Sequence, residues 1–486
     1  MTITTRRALA TALLLSANLV GCVGADDGVG PIAAGEAEIS ADITADRTFY
    51  AETTYTLTNW VHVTNGVTLT IRPGTTIEGR TGSALFVLRG ARIVADGRAD
   101  APIVFTSDQP QGQRKPGDWG GLILVGRGII NRTGTIELEG TGGSNPQNYA
   151  VNYDGGSQNN DDSGILRYVR VEFAGFGQAQ NQELNSFTFA AVGSGTTVDH
   201  LEALAGFDDS FEWFGGAVDG KYLVSYEAGD DHFDAAEGYV GRNQYLIGFQ
   251  STFLAPRAGA GLEATDQQGF EIDNCGAASG SGCAAGYNST PLTMPMFANF
   301  TLVGTGANQR LAGNNGGFGM VLRRGAGGYY VNGIIARWPK AAISMRDTET
   351  QTRATEGALV LRNIAIVETG TTGGTNAPIF ETGTACPAAN CRSSVDGAAN
   401  SIVAEAGTVT AASLFQQFPA AGATPTSATL DWALVASAAP ATGGTGAFTG
   451  ALQTKAGSFV TGTAYRGAYG VDVGKWWTGW TSYAQN

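Results

Sequence analysis

Two acidic phrases carry most of the chemistry this sequence can offer. The first, Phe207-Asp208-Asp209-Ser210-Phe211-Glu212-Trp213-Phe214-Gly215-Gly216, is answered by Gly229-Asp230-Asp231-His232-Phe233-Asp234 and closes at Gly238. Asp208 to Asp230, Asp209 to Asp231, Glu212 to Asp234 and Gly216 to Gly238 are each 22 positions apart. Carboxylates brought together this way cannot all stay ionised without help, so either protons are shared or a cation neutralises the group. Calcium takes about 6–8 oxygen ligands and suits acidic turns, which makes Asp208, Asp209, Glu212, Asp230, Asp231 and Asp234 candidate Ca²⁺ ligands. Shared protonation is the catalytic alternative: Glu212, Asp230 and Asp231 as a hydrolytic carboxyl set, with His232 as proton carrier. Glycosidases place such carboxyls about 5–5.5 Å apart for retention and about 6.5–9.5 Å apart for inversion.

The elements that must position these groups come from the repeat itself. Asn185-Ser186-Phe187-Thr188-Phe189 matches Asp209-Ser210-Phe211-Glu212-Trp213 at an offset of 24, a third copy ahead of the acidic two. Periods of about 20–50 residues signal a solenoid. Short runs with alternating apolar residues, such as Leu69-Thr70-Ile71, Ala84-Leu85-Phe86-Val87-Leu88 and Ile103-Val104-Phe105, are separated by Gly, Pro and Asn turns and read as strands. Several short strands per coil, repeated, predict an all-β parallel β-helix. Equivalent positions then stack at about 4.8 Å. Phe187, Phe211 and Phe233 form an inner ladder; Thr188, Glu212 and Asp234 point the other way; Phe270-Glu271 extends both rows. Trp213 is expected in the core or a turn stack. Lys221, Arg242, Arg323 and Arg324 are the cations available to a catalytic site.

With 71 Gly among 486 residues, the chain has the turn density such a fold needs. The net charge of −14 argues against nucleic acid or anionic headgroups as direct partners. Gly-, Asn- and Asp-rich residues 127–164 and the stretch 254–268 are expected as lateral loops. The sequence divides into a leader (1–21), a flexible tether (22–45), the β-helix (46–415) and a C-terminal coil and cap (416–486), with a helix-compatible run near 411–418. Trp476, Trp477 and Trp480 are expected to cap the solenoid's last apolar layer.

Gly66-Val67-Thr68-Leu69-Thr70-Ile71, Pro73-Gly74-Thr75-Thr76-Ile77 and Pro102-Ile103-Val104-Phe105-Thr106-Ser107 resemble the right-handed parallel β-helix repeats of pectate-lyase-like proteins. Gly117-Asp118-Trp119-Gly120-Gly121, the Asp-Asp-Ser-Phe-Glu-Trp-Phe-Gly-Gly stretch and Trp476-Trp477-Thr478-Gly479-Trp480 are similar to a group of secreted bacterial β-helix surface proteins. That resemblance implies the fold and a surface address. Gly229-Asp230-Asp231 is similar to the Gly-Asp-Asp of polygalacturonase-like hydrolases, yet their Asn-Thr-Asp, Gly-His-Gly and Arg-Ile-Lys motifs are missing. So is the Arg-x-Pro-x-x-Arg pattern of the lyases.

Arg6 and Arg7, the apolar run 8–20 and Leu19-Val20-Gly21-Cys22 resemble a bacterial lipoprotein signal, implying cleavage and diacylation at Cys22. Val23 suggests the outer membrane by the same family's sorting habit. Four cysteines remain, and local pairing of Cys275 with Cys283 and Cys386 with Cys391 is the simplest connectivity. Structural zinc is the rival reading, although His62, His200 and His232 stand at no finger spacing to them. The function expected is that of a lipid-anchored extracytoplasmic β-helix protein, on the outer membrane or cell surface, that binds a surface ligand or partner such as a polysaccharide, with Ca²⁺ at the acidic coils. A carbohydrate-active hydrolase or lyase using the same carboxylates is the alternative.

Overall fold

Alternation along each short strand sends apolar side chains to one face, and stacking the strands in parallel buries that face. The computed structural model describes residues 35–142, 149–177, 182–276, 282–307, 315–370, 379–381, 388–420, 422–471 and 474–484. One parallel sheet has nine strands, from Trp60–Val63 to Ile343–Met345, and includes Phe187–Ala190, Phe211–Phe214, Phe233–Ala236 and Phe270–Asp273 as consecutive neighbours. A second, fifteen-stranded sheet wraps the other faces of the coil. The predicted all-β parallel β-helix is therefore the fold.

The long strands of the second sheet turn a corner without a loop. Tyr168, His200, Tyr222, Tyr245, Asn299, Asn332 and Asn363 lie in register at mid-strand, with φ between 49° and 68°. Left-handed backbone costs an L-residue roughly 1–2 kcal/mol, least for Asn. Stacking offsets that cost along the aromatic half of the column, where ring centroids are 4.3 Å apart from Tyr168 to His200 and from His200 to Tyr222. At Gly216 and Gly238, the turn glycines of the repeat, φ is 73° and 88°, a geometry that glycine adopts without a side-chain clash.

The inner ladder is as predicted. Ring centroids are 5.0 Å apart from Phe187 to Phe211, 5.4 Å from Phe211 to Phe233 and 5.6 Å from Phe233 to Phe270. Trp213 is buried between Phe189 and Tyr239, in the core as expected.

Three boundaries differ from expectation. The solenoid begins inside the expected tether: Gly35–Ile39 pairs with Thr53–Leu57, and Ile43 bridges to Val63. The helix near 411 is only Ala411–Leu414, followed by Phe415–Gln417 paired antiparallel with Asp431–Leu434. The Trp-rich tail is not an end cap. Trp476 packs on Tyr222, and Trp480 on His200 and Tyr168, so the tail straps the flank where the left-handed column would otherwise face water. Glu202 accepts the Ser482 N–H at 3.0 Å, and the buried Glu227 accepts the Tyr483 hydroxyl. The end layer is covered instead by helices Thr348–Thr355 and Ala388–Asp396 and by strand Ile402–Ala404, which bury Ala354, Val395 and Ile402 in the main core.

Phe211 has no exposed surface and a ring above and below it. Phe211→Ala is expected to lower stability by about 3–5 kcal/mol. A loss below about 1 kcal/mol in denaturant titration would contradict the load assigned to the ladder.

Candidate functional site

The outward positions of the nine-stranded sheet build an acidic wall. Glu212, Asp234 and Glu271 are in lateral register, bounded by Thr188 in the coil before and Val321 in the coil after. Strand alternation puts Asp273 beside Glu271, directly opposite Arg323 of the next coil.

At the preceding turn a second row makes a ladder of side chains to backbone. Asn185 Oδ1 accepts the Asp209 N–H at 3.1 Å, Asp209 Oδ1 the Asp231 N–H at 2.8 Å, Asp231 Oδ1 the Gln268 N–H, and Gln268 Oε1 the Phe318 N–H at 3.0 Å. One oxygen of Asp209 and one of Asp231 thus serve the fold. An amide does the same job in the coils on either side, so the ladder does not require the charge.

Lateral loops close the cleft. The loop of residues 127–163 docks through Asn131, whose N–H reaches Glu237 O at 2.9 Å and whose amide reaches Asn274 Oδ1 at 2.8 Å. The loop of residues 254–268 is tied down by Arg257, which meets Asp118 of the Gly-Asp-Trp motif at 2.5 Å. The result is a cleft of about 610 Å³ lined, among the described residues, by thirteen carboxylates and three arginines. All six predicted metal ligands line it, together with Glu271. Carboxylate oxygens lie within 4.8 Å of one another in three overlapping groups: Asp208, Asp209 and Asp230; Asp209, Glu212 and Asp234; Asp231, Asp234 and Glu271.

Among the described residues, opposite charge sits at the ends. Arg132 pairs with Glu237 at 2.5 Å, Arg323 with Glu271 and, at 2.8 Å, with Asp273, and Arg324 with Asp273 at 2.6 Å. Among the described residues no lysine or arginine forms an ion pair with any of the six predicted ligands. Asp230 and Asp234 each bury an Oδ1 that meets no donor. Burial first, and then the neighbouring carboxylates, hold Asp208, Asp209, Glu212, Asp231 and Asp234 well above the usual carboxylate range. Asp230 is raised in the same direction, and Glu271 is pushed up to about 8.

Other sequence assignments separate from this site. His232 is a correction: it faces the interior with 1% exposure, its Nδ1 2.5 Å from Ser225 Oγ and its ring edge-on to Trp338. Burial lowers its pKa to about 3, and it does not line the cleft, so it cannot exchange protons there. Lys221 and Arg242 are also elsewhere, against the Phe459 ring at 4.7 and 5.3 Å. Cys275 and Cys283 form the expected disulfide; Cys391 is disulfide-bonded, while Cys386 and Cys22 lie outside the described residues. Sequence reasoning missed Glu139, Glu183, Glu237, Glu263, Asp266 and Asp273 as lining groups. Strand alternation signals Asp273; the loop residues carry no periodic signal.

The pectate-lyase like beta helix domain matches residues 41–414 of this sequence. The chain belongs to that family. Comparison with curated proteins and with solved structures returned no match. Membership of the pectate-lyase-like family accounts for the coil and its stacked rows, and is compatible with either an enzymatic or a binding role.

The raised carboxylates have a thermodynamic consequence. Their folded pKa values exceed unfolded values near 4, so without added cations the folded state holds extra protons. The stability this provides is complete at acid pH and is lost as pH rises through the folded values, about 8 for Glu271. In chelator, the melting temperature is expected to fall between about pH 5 and pH 9. A flat or rising profile over that window contradicts the assigned shifts.

Proposed function

We propose that this β-helix protein is an extracytoplasmic, lipid-anchored binding protein whose acidic cleft holds Ca²⁺ and engages a surface ligand such as a glycan. The observation that carries the cation reading is the comparison between neighbouring coils. At the ladder position Asn185 and Gln268 satisfy the backbone, whereas Asp209 and Asp231 satisfy it and add charge. At the strand position carboxylates occupy only the three coils between Thr188 and Val321. Charge that packing does not need, concentrated in one cleft and lacking protein cations at its centre, fits a hard cation with oxygen ligands. Asp208, Asp209, Glu212, Asp230, Asp231 and Asp234 would hold it, with Glu271 adjoining. A bound cation would neutralise the wall and present an electropositive point to oxygen-rich partners.

Calorimetric titration of the metal-free protein with CaCl₂ tests this. Saturable binding is expected, with a melting temperature that rises as Ca²⁺ is added, by about 2.7 kcal/mol of stabilisation at a hundredfold excess over Kd. Asp209→Asn keeps the ladder acceptor, so it should fold, melt higher than the parent in chelator, and bind Ca²⁺ roughly tenfold more weakly or worse. Equal affinity in the variant, or no binding by the parent, refutes the assignment.

The hydrolase or lyase alternative draws on the same buried, proton-holding carboxylates, now without His232. Turnover of a neutral or anionic polysaccharide that disappears in Asp231→Asn would establish it in place of simple binding.

Anchoring rests on the signal-like leader and Cys22. Cys22→Ala is expected to move the protein from the membrane fraction to the soluble extracytoplasmic fraction. Retention of the variant in membranes would exclude acylation at Cys22 as the anchor.

A further inference from the structure

A second cavity, about 330 Å³, lies against the turn that follows the long strands and shares no lining residue with the acidic cleft. Its chemistry is opposite. Arg337 lines it, half-buried, with the guanidinium carbon 5.3 Å from the centre of the Phe418 ring. Among the described residues the Arg337 guanidinium forms no ion pair and donates no hydrogen bond, whereas most other described arginines are paired. Phe418 is itself fixed by Phe249, Phe415 and Trp432, at centroid distances of 5.8, 6.0 and 6.3 Å. The guanidinium is therefore held on a rigid aromatic base.

The neighbouring carboxylates are committed elsewhere. Glu227, three coils before Arg337, is buried and accepts the backbone N–H groups of Ser251 and Thr252 at 3.1 Å each, together with the Tyr483 hydroxyl. Glu368, in the coil after Arg337, accepts the Ala411 N–H at 2.6 Å. The hydroxyl of Thr252 and that of Thr305, 3.4 Å from Gly306 O, add polar groups, while Phe249 and Phe418 supply apolar walls. A planar guanidinium with open N–H groups, hydroxyls beside it and aromatic walls matches an oxyanion attached to a small apolar or ring-shaped body. The volume admits one ring and excludes a folded polymer.

We propose that this pocket binds a small oxyanion ligand, a carboxylate, sulfate or phosphate on a body no larger than a single ring, with Arg337 as its charge partner. The site is independent of the cation reading of the acidic cleft.

The test is calorimetric titration of the full-length protein, at constant ionic strength, with sodium benzoate, sodium sulfate and sodium phosphate separately, and benzyl alcohol as the uncharged control. At least one oxyanion is expected to saturate at one equivalent while benzyl alcohol does not, and the one that binds identifies the anionic group. Affinity should fall about tenfold or more in Arg337→Gln, which loses a charge-assisted pair, and less in Arg337→Lys. Thr305→Asp, in the adjacent coil beside the guanidinium, offers it an internal carboxylate, should abolish binding and provides the second arm if Arg337→Gln does not fold. Ca²⁺ affinity at the acidic cleft should not change in any of these variants. The proposal is overturned by absence of saturable binding for all three anions, or by equal affinity in the parent and in the foldable variants.

Discussion

Everything in this protein follows from one constraint: each coil lays its backbone in register on the last, so a side chain finds its equivalent about 4.8 Å away. For aromatic rings that spacing is favourable, and the Phe187–Phe211–Phe233–Phe270 ladder exploits it. For carboxylates it is costly, because like charges at that distance in a partly dry cleft repel and lose hydration together. The same register thus builds the core and concentrates the strain of the acidic wall. Where the chain needs only structure it avoids this cost, with Thr188 and Val321 at the strand position and Asn185 and Gln268 at the turn.

The acidic wall is open at its centre and compensated at its ends. Arg323 and Arg324 close one end through Glu271 and Asp273, and Arg132 meets Glu237 from the lateral loop. Burial and then the neighbouring carboxylates keep the pKa values of the groups between them raised, and among the described residues none of these groups has an ion-pair partner. Buried ions at the ends and protonatable acids in the middle are two solutions to one desolvation cost. The middle, without an ion-pair partner among the described residues, is where an added cation would act.

Repetition is what made the sequence informative. Phe211 and Phe233, Glu212 and Asp234, and even Glu271 across a long insertion were placed correctly, because a fixed offset in sequence becomes a fixed neighbour in space. His232 defeated the same reasoning: adjacency to Asp231 suggested a shared surface, but one step along a turn directed the imidazole inward to Ser225. The loop carboxylates Glu139, Glu183 and Asp266 have no repeat to betray them, since loop closure depends on contacts such as Arg257 with Asp118, 139 residues apart. The tail misled for a related reason. Three tryptophans announce burial without saying where, and the surface that needed covering was the left-handed column along the flank, invisible until Tyr168, His200 and Tyr222 are seen to align.

The acidic wall and the inner aromatic ladder share the same coils, and this coincidence has an energetic logic. A solenoid's stability is nearly a sum of local terms, each coil interacting with its neighbours. A penalty placed in one coil must therefore be offset close by, because distant coils contribute little to it. Behind Glu212 and Asp234, on the inward side of the same strands, Trp213 stacks on Phe189 and Tyr239, and Phe233 joins Phe211 to Phe270. Phe297 of the facing sheet completes the layer against Trp213 and Phe270. Each such ring buries a large apolar surface, and aromatic pairs add roughly 0.5–1.5 kcal/mol beyond that burial. The inner face thus stabilises the coils whose outer face carries like charge. This division lets a β-helix hold a charged cleft in mid-solenoid without fraying there.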